Sequence, residues 1–255
     1  MDIGFYETRA GITPFPDATY WSNSNKNAVG KFSGSSMGSV FVVGTAWPQG
    51  VCFLSFPSSV SYSSVQFSDR DENEAYLSYY DSIGKKVILQ VEPGNADVPT
   101  LIKLVLDRYG KHPCVEGVGV DIEWYQYTSY SDGKAVTDQE ASQWYSLVTS
   151  YNKSYTLALT HWVAGKMPPN YRTGLYFIYD GQGFGSLGSM QSYYTSWANS
   201  FPNNPVGVYI GFPNDQSWWK AYSDPYYTLA NMALSNAKNT KGVYWVSYSV
   251  KTIYP

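Results

Sequence analysis

The chain has 255 residues, with 17 Lys plus Arg against 20 Asp plus Glu and a formal net charge of −3. Charged residues make up 15%, well below the roughly 25% of an average soluble domain; Ser, Asn, Gly and 25 Tyr, 11 Phe and 9 Trp take their place. An aromatic content this high excludes disorder, no basic excess is on hand to neutralise a nucleic-acid backbone, and no apolar run approaches the ~20 residues of a membrane span.

Nucleic acid and membrane are therefore not expected partners. No linker or low-complexity segment divides the chain, and barrels of about this length fill a single domain, so one domain over 1–255 is expected. The chain opens on Met1-Asp2-Ile3-Gly4-Phe5-Tyr6, strand-like and without a basic, apolar leader. Low charge with abundant Tyr, Ser and Asn fits secreted proteins that work on polysaccharides, and an extracellular monomer is expected. Cys52 and Cys114 read as two buried thiols or one disulfide. With only His112 and His161 beside them, the ligand spacing of a structural zinc is missing, and neither metal nor cofactor is expected.

Strand patterns follow in chain order at Ile3–Tyr6, Val40–Val43, Val87–Val91, Val115–Ile122, Thr156–Leu159, Leu175–Tyr179, Val206–Ile210 and Val243–Val246. Several are almost continuously apolar, as strands buried on both faces must be. Helical patterns lie between them. Asp97 can cap a helix with Val98, Leu101, Ile102, Val105 and Tyr109 on one face, stopped at Gly110. Thr137-Asp138-Gln139-Glu140 is a capping box before Ala141, Trp144, Tyr145 and Val148. Tyr226, Leu229, Ala230 and Ala233 repeat the spacing before the last strand. Eight strands alternating with helices predict an α/β fold, a single (β/α)₈ TIM barrel. Cys52–Phe56 is a surplus strand pattern, read as a hairpin insertion with the second strand across Trp47-Pro48-Gln49-Gly50.

In such a barrel, function lies at the carboxyl ends of the strands. Those ends carry Tyr6; Glu92; Asp121, Glu123 and Trp124; His161 and Trp162; Asp180 and Gln182; and Trp245. Period 2 puts Asp121 and Glu123 on one face of the fourth strand. Two carboxylates that close repel, which raises one pKa and keeps a protonated acid near neutral pH; cleavage of a glycosidic bond needs such an acid. Trp124, Trp162 and Trp245 offer flat apolar faces for sugar rings. Trp218-Trp219 is read as a core pair in preference to a cleft wall. The Gly-rich run Gly181–Gly185 lacks dinucleotide and P-loop spacing.

Glu116-Gly117-Val118-Gly119-Val120-Asp121-Ile122-Glu123 resembles the Asp-Gly-x-Asp-x-Asp-x-Glu signature of the family 18 glycoside hydrolases, the chitinases and their relatives. Phe177-Ile178-Tyr179-Asp180 is similar to that family's sixth-strand motif, Val206–Gly211 to its seventh strand, and Trp245 to its eighth-strand tryptophan. The resemblance implies a divergent, chitinase-like hydrolase of polysaccharide or oligosaccharide, with Glu123 as general acid and Asp121 orienting an acetamido group. Tyr179 would hydrogen-bond that group during substrate-assisted catalysis. Tyr6, Glu92, Trp124, His161, Trp162, Asp180, Gln182 and Trp245 would bind substrate. Three positions depart from the pattern. Glu116 replaces its first Asp, Gly119 removes the inner carboxylate, and Val91-Glu92-Pro93-Gly94 stands where the third strand would carry Ser-x-Gly-Gly. A two-carboxylate hydrolase of muramidase-like type, with Glu92 or Asp180 as partner, and a non-catalytic carbohydrate-binding barrel are the alternatives.

Overall fold

The computed structural model describes residues 1–126 and 133–255. Eight parallel strands close into a ring: β1 (Asp2–Glu7), β2 (Ser36–Trp47), β5 (Lys86–Val91), β6 (Val115–Asp121), β7 (Thr156–Thr160), β8 (Leu175–Tyr179), β9 (Val206–Ile210) and β10 (Thr240–Val246), with β10 returning to β1. This is the TIM barrel expected from the strand pattern. Two strands lie outside the ring: β3 (Val51–Leu54), antiparallel to the end of β2, and β4 (Val65–Phe67), parallel to β3. The hairpin was legible in the sequence; β4, only three residues long, was not.

Helices α1 (Ala18–Val29), α2 (Glu74–Ile83), α3 (Val98–Tyr109), α4 (Asp138–Tyr151), α5 (Leu187–Ala198) and α7 (Pro225–Asn236) connect the ring strands, with the short α6 (Gln216–Trp219) and α8 (Val250–Ile253). The expected caps are present. Asp97 accepts from Thr100 N at the start of α3, and Thr137 and Glu140 complete the capping box of α4. The β7–β8 connection contains only a 3₁₀ turn, Ala164–Lys166.

Strand alternation divides the core in two. One set of side chains packs between strands and helices: on β8, Leu175, Phe177 and Tyr179; on β10, Val243 and Trp245. The other fills the barrel, and includes Tyr6, Val40, Val42, Ile88, Ala158, Tyr176, Ile178, Tyr209, Tyr244 and Val246. Cys52 and Cys114 are free and buried, so the thiol alternative holds; burial raises both thiols above their ordinary pKa. His112 is a structural residue, its Nδ1 2.6 Å from Asp81 on α2.

A fully buried ion pair lies outside the ring. Glu7, which faces outward on β1, receives the Lys85 ammonium and a hydrogen bond from the Tyr80 hydroxyl at 2.7 Å. The ammonium also sits 4.0 Å from the centroid of the Tyr80 ring. Removing one partner of such a pair leaves an uncompensated buried charge, which costs about 3–5 kcal/mol. Lys85→Met is therefore expected to lower the unfolding free energy by about that much in urea titration, and Glu7→Leu/Lys85→Met to recover most of it. A loss below about 1 kcal/mol in the single variant would contradict this reading of the pair.

Candidate active site

The carboxyl ends of the strands open on a cavity of about 750 Å³, lined by Tyr6, Glu92, Asp121, Glu123, Trp124, Asp180 and Gln182 among the residues expected there. Its remaining wall includes Trp47, Phe53, Tyr209, Phe212 and Tyr248.

Asp121 ends β6 and points into the barrel mouth, 4% exposed. Glu123 is not on the strand. The chain turns into a 3₁₀ segment, Ile122–Trp124, whose start is capped by the Asp121 carboxylate accepting from Glu123 N at 3.2 Å. The expected period-2 stacking is thus replaced by a turn, and it is the turn that brings Glu123, half-buried, to the same cavity. Asp180 reaches the site because β8 alternates: Tyr176 and Ile178 face inward, and Asp180 is the next inward position. Carboxylate oxygens of Asp121, Glu123 and Asp180 all lie within 4.8 Å of one another. A hard cation could use oxygens at that spacing, but nothing else among the described residues points to one.

Glu92 follows β5. At the barrel mouth β2 has a register irregularity between Val42 and Gly44 and then leaves the ring to pair with β3. That departure frees the Ala46 N–H to donate to Glu92 Oε2 at 2.7 Å, while the Tyr6 hydroxyl donates to Oε1 at 3.4 Å.

Burial and neighbouring charge raise the pKa of three of the four carboxyl groups, Asp121, Asp180 and Glu92. Burial, then the charges of Asp180, Glu123 and Glu92, push Asp121 well above the usual carboxylate range. Burial and Glu123 do the same to Asp180. Glu92 rises to about 7, chiefly through burial and with help from Glu123, against the opposing pull of the Ala46 and Tyr6 hydrogen bonds.

Under the cavity, Gln90 takes the place of the carboxylate missing at Gly119. A Cβ at Gly119 would come within 3.3 Å of Gln90 Cβ and of Ile88 Cγ2, so the bare backbone makes room for the Gln90 side chain. Its amide oxygen accepts from Thr160 Oγ1 at 3.1 Å and from the Tyr209 hydroxyl at 2.8 Å, which leaves Nε2 to donate to Asp121 Oδ2 at 3.4 Å. Asp121 therefore rests on a neutral donor in place of a second acid.

Four expected site residues are elsewhere. Tyr179 faces away from the cavity, packed against Tyr194 and Trp197 of α5. Trp245 also faces outward, between Trp219 and Tyr226, with Nε1 donating to Ser249 Oγ. The cause is the same for both: the inward positions of β8 and β10 belong to Tyr176 and Ile178, and to Tyr244 and Val246. His161 is buried outside the cavity lining, its Nδ1 accepting from Val163 N at 2.8 Å, and Trp162 is exposed away from that lining. Trp219 is buried, as the core reading of the Trp218-Trp219 pair expects.

No protein-family model matches the chain, and no curated protein matches it. One solved structure with a similar fold is Bacteroides uniformis β-glucuronidase, at a TM-score of 0.45 and 10% identity over 71% of this chain and 26% of that one. The chain thus spans about a quarter of that neighbour's length. The barrel assignment rests on the strand pairing itself.

A carboxyl whose folded-state pKa lies above its unfolded one contributes most while protonated. For Glu92 that contribution is full below its ordinary value of 4.5 and is lost as pH rises through about 7. The thermal midpoint of the wild type should therefore fall relative to that of Glu92→Gln across this window, leaving the variant the more stable at about pH 8. Parallel midpoint-against-pH curves would show that Glu92 is not held in its protonated form.

Proposed function

We propose that the chain is a glycoside hydrolase acting on a polysaccharide or oligosaccharide, with Glu123 as the general acid. The observation that carries this reading is the gathering of Glu92, Asp121, Glu123 and Asp180 in one aromatic-lined cavity at the carboxyl ends of the barrel strands. Crowded carboxyl groups retain protons near neutral pH, and cleavage of an acetal needs a proton on the leaving oxygen. Glu123, the least buried of the four, can meet a bound chain from the turn that carries it. Glu92 is the partner: it either attacks the anomeric carbon or takes the proton of an attacking water. The Ala46 N–H and the Tyr6 hydroxyl stabilise it whenever it ionises. Asp121 and Asp180 tune the protons of the cluster. Asp180 Oδ1, buried and without a hydrogen-bond partner among the described residues, is an acceptor suited to a sugar hydroxyl.

The two-carboxylate course is preferred to the substrate-assisted course of the chitinase resemblance because Tyr179, which would hold the acetamido group, turns toward α5. Asp121 and Glu123 serve either course.

The test is turnover on a panel of oligosaccharides with and without N-acetyl groups. Glu123→Gln should lower kcat by roughly 10²–10⁴-fold while leaving the fold intact, Glu92→Gln should be comparably damaging, and Tyr179→Phe should stay within about twofold of wild type, since no bond to substrate is lost. A strict N-acetyl requirement with a large loss in Tyr179→Phe would restore the substrate-assisted course. Binding without turnover across the panel would make the barrel a carbohydrate-binding protein.

A further inference from the structure

Trp47 is the most exposed tryptophan side chain on the cavity wall, at 47%, and the acid chemistry above does not use it. It sits on the hairpin that β2 and β3 form outside the ring. Thr45 pairs with Phe53 and Trp47 with Val51, so Trp47 and Phe53 are diagonal neighbours on one face of the hairpin. Their rings stack at a centroid distance of 4.4 Å and an interplanar angle of 8°. Phe53 thus covers one face of the indole and leaves the other to the cavity and solvent. On the opposite face of the same hairpin, Cys52 is fully buried in the core.

The hairpin tip is held in place. Gln49 and Gly50 turn it through positive φ, and Gly50 O accepts from Asn95 N at 2.7 Å. A Cβ on Gly94 would strike Gly50 O at 2.5 Å, so the loop after β5 can approach this closely only with glycine there. That loop carries Glu92 at its start, and Gly94 O in turn accepts from Gln126 N, just past Glu123, at 2.8 Å. The aromatic stack and the two glutamates are therefore tied into one rigid rim, and a flat apolar surface fixed in this way binds with little ordering cost.

Charge narrows the ligand. Arg9 is the one cationic side chain in the described lining of the cavity. It is already committed, to the Glu72 carboxylate at 3.2 Å, Glu72 O at 2.5 Å and Asn73 Oδ1 at 3.1 Å. Among the described residues, no cation of the lining is left to pair a sugar's own carboxylate, and whichever of the four carboxyl groups is ionised repels it.

We infer that the open face of Trp47 is a binding platform for a pyranose ring of an uncharged glycan chain, one or more units away from the bond that meets Glu123. The inference rests on the hydrolase reading and adds to it the class of chain and a subsite. It implies recognition of a polymer segment rather than of a single terminal sugar.

The test measures binding by calorimetry in the Glu123→Gln background, so that the chain is not consumed, with cellohexaose, N-acetylchitohexaose and hexa-galacturonate as probes, and hydrolysis separately in the wild type. At least one neutral hexamer should bind, the hexa-galacturonate should not, and adding Trp47→Ala should weaken the neutral hexamer about tenfold while leaving the corresponding disaccharide unchanged. Trp47→Phe should recover part of the loss, because it restores a flat ring. Equal affinity with and without Trp47→Ala, or tighter binding of hexa-galacturonate, overturns the platform while hydrolysis by the wild type still stands. If no hexamer binds and none is hydrolysed, the hydrolase reading falls and the platform falls with it.

Discussion

Four carboxyl groups share the barrel mouth, three of them buried, and burial with mutual repulsion opposes their ionising together. Asp121 and Asp180 are buried beside each other, Glu92 is buried behind the Ala46 N–H, and Glu123 stands at the opening. The surrounding structure is arranged around that repulsion. Gln90 supports Asp121 with a neutral donor, Gly119 withholds a side chain so that Gln90 fits, and the fold accepts raised pKa values in place of a compensating cation. Crowding of this kind costs stability as the groups ionise, and sites that store protons for catalysis are where such costs are found.

The second constraint is rigidity at the rim. Three chain segments that leave the barrel at its carboxyl face, from β2, β5 and β6, are stitched together through Gly50, Asn95, Gly94 and Gln126. Backbone hydrogen bonds therefore link the segments that carry Glu92, Glu123 and the Trp47–Phe53 stack. The departure of β2 from the ring after Gly44 matters for the same reason: it releases a backbone donor to Glu92 and projects the hairpin over the cavity.

Much of the architecture was legible in the residues. Apolar runs marked the eight ring strands, and Asp97 and Thr137 announced their helices through capping chemistry. Asp121 and Asp180 are legible as strand-end residues, because the apolar runs Val115–Ile122 and Leu175–Tyr179 finish at or beside them. What failed was the facing of residues near those ends. Tyr179 and Trp245 are one residue out of phase with the inward positions of their strands, and a motif that matches by type does not report phase. Glu123 reached the cavity by a 3₁₀ turn, not by strand alternation. The sequence marks Trp47 as a hairpin residue, and its place diagonal to Phe53 follows only once the β2–β3 register is known. Tyr209 was hidden in an apolar run, and its partner Gln90 lies 119 positions away in sequence.

The most direct measurement is a crystal structure of the Glu123→Gln variant holding an uncleaved neutral hexasaccharide. The account predicts a chain lying along the carboxyl face of the barrel, with one glycosidic oxygen within about 2.6–3.2 Å of the side chain at position 123. The anomeric carbon of that bond should face Glu92, and a neighbouring ring should rest on Trp47. A saccharide bound away from the four acidic positions, or one whose glycosidic oxygens all lie beyond reach of position 123, would contradict it.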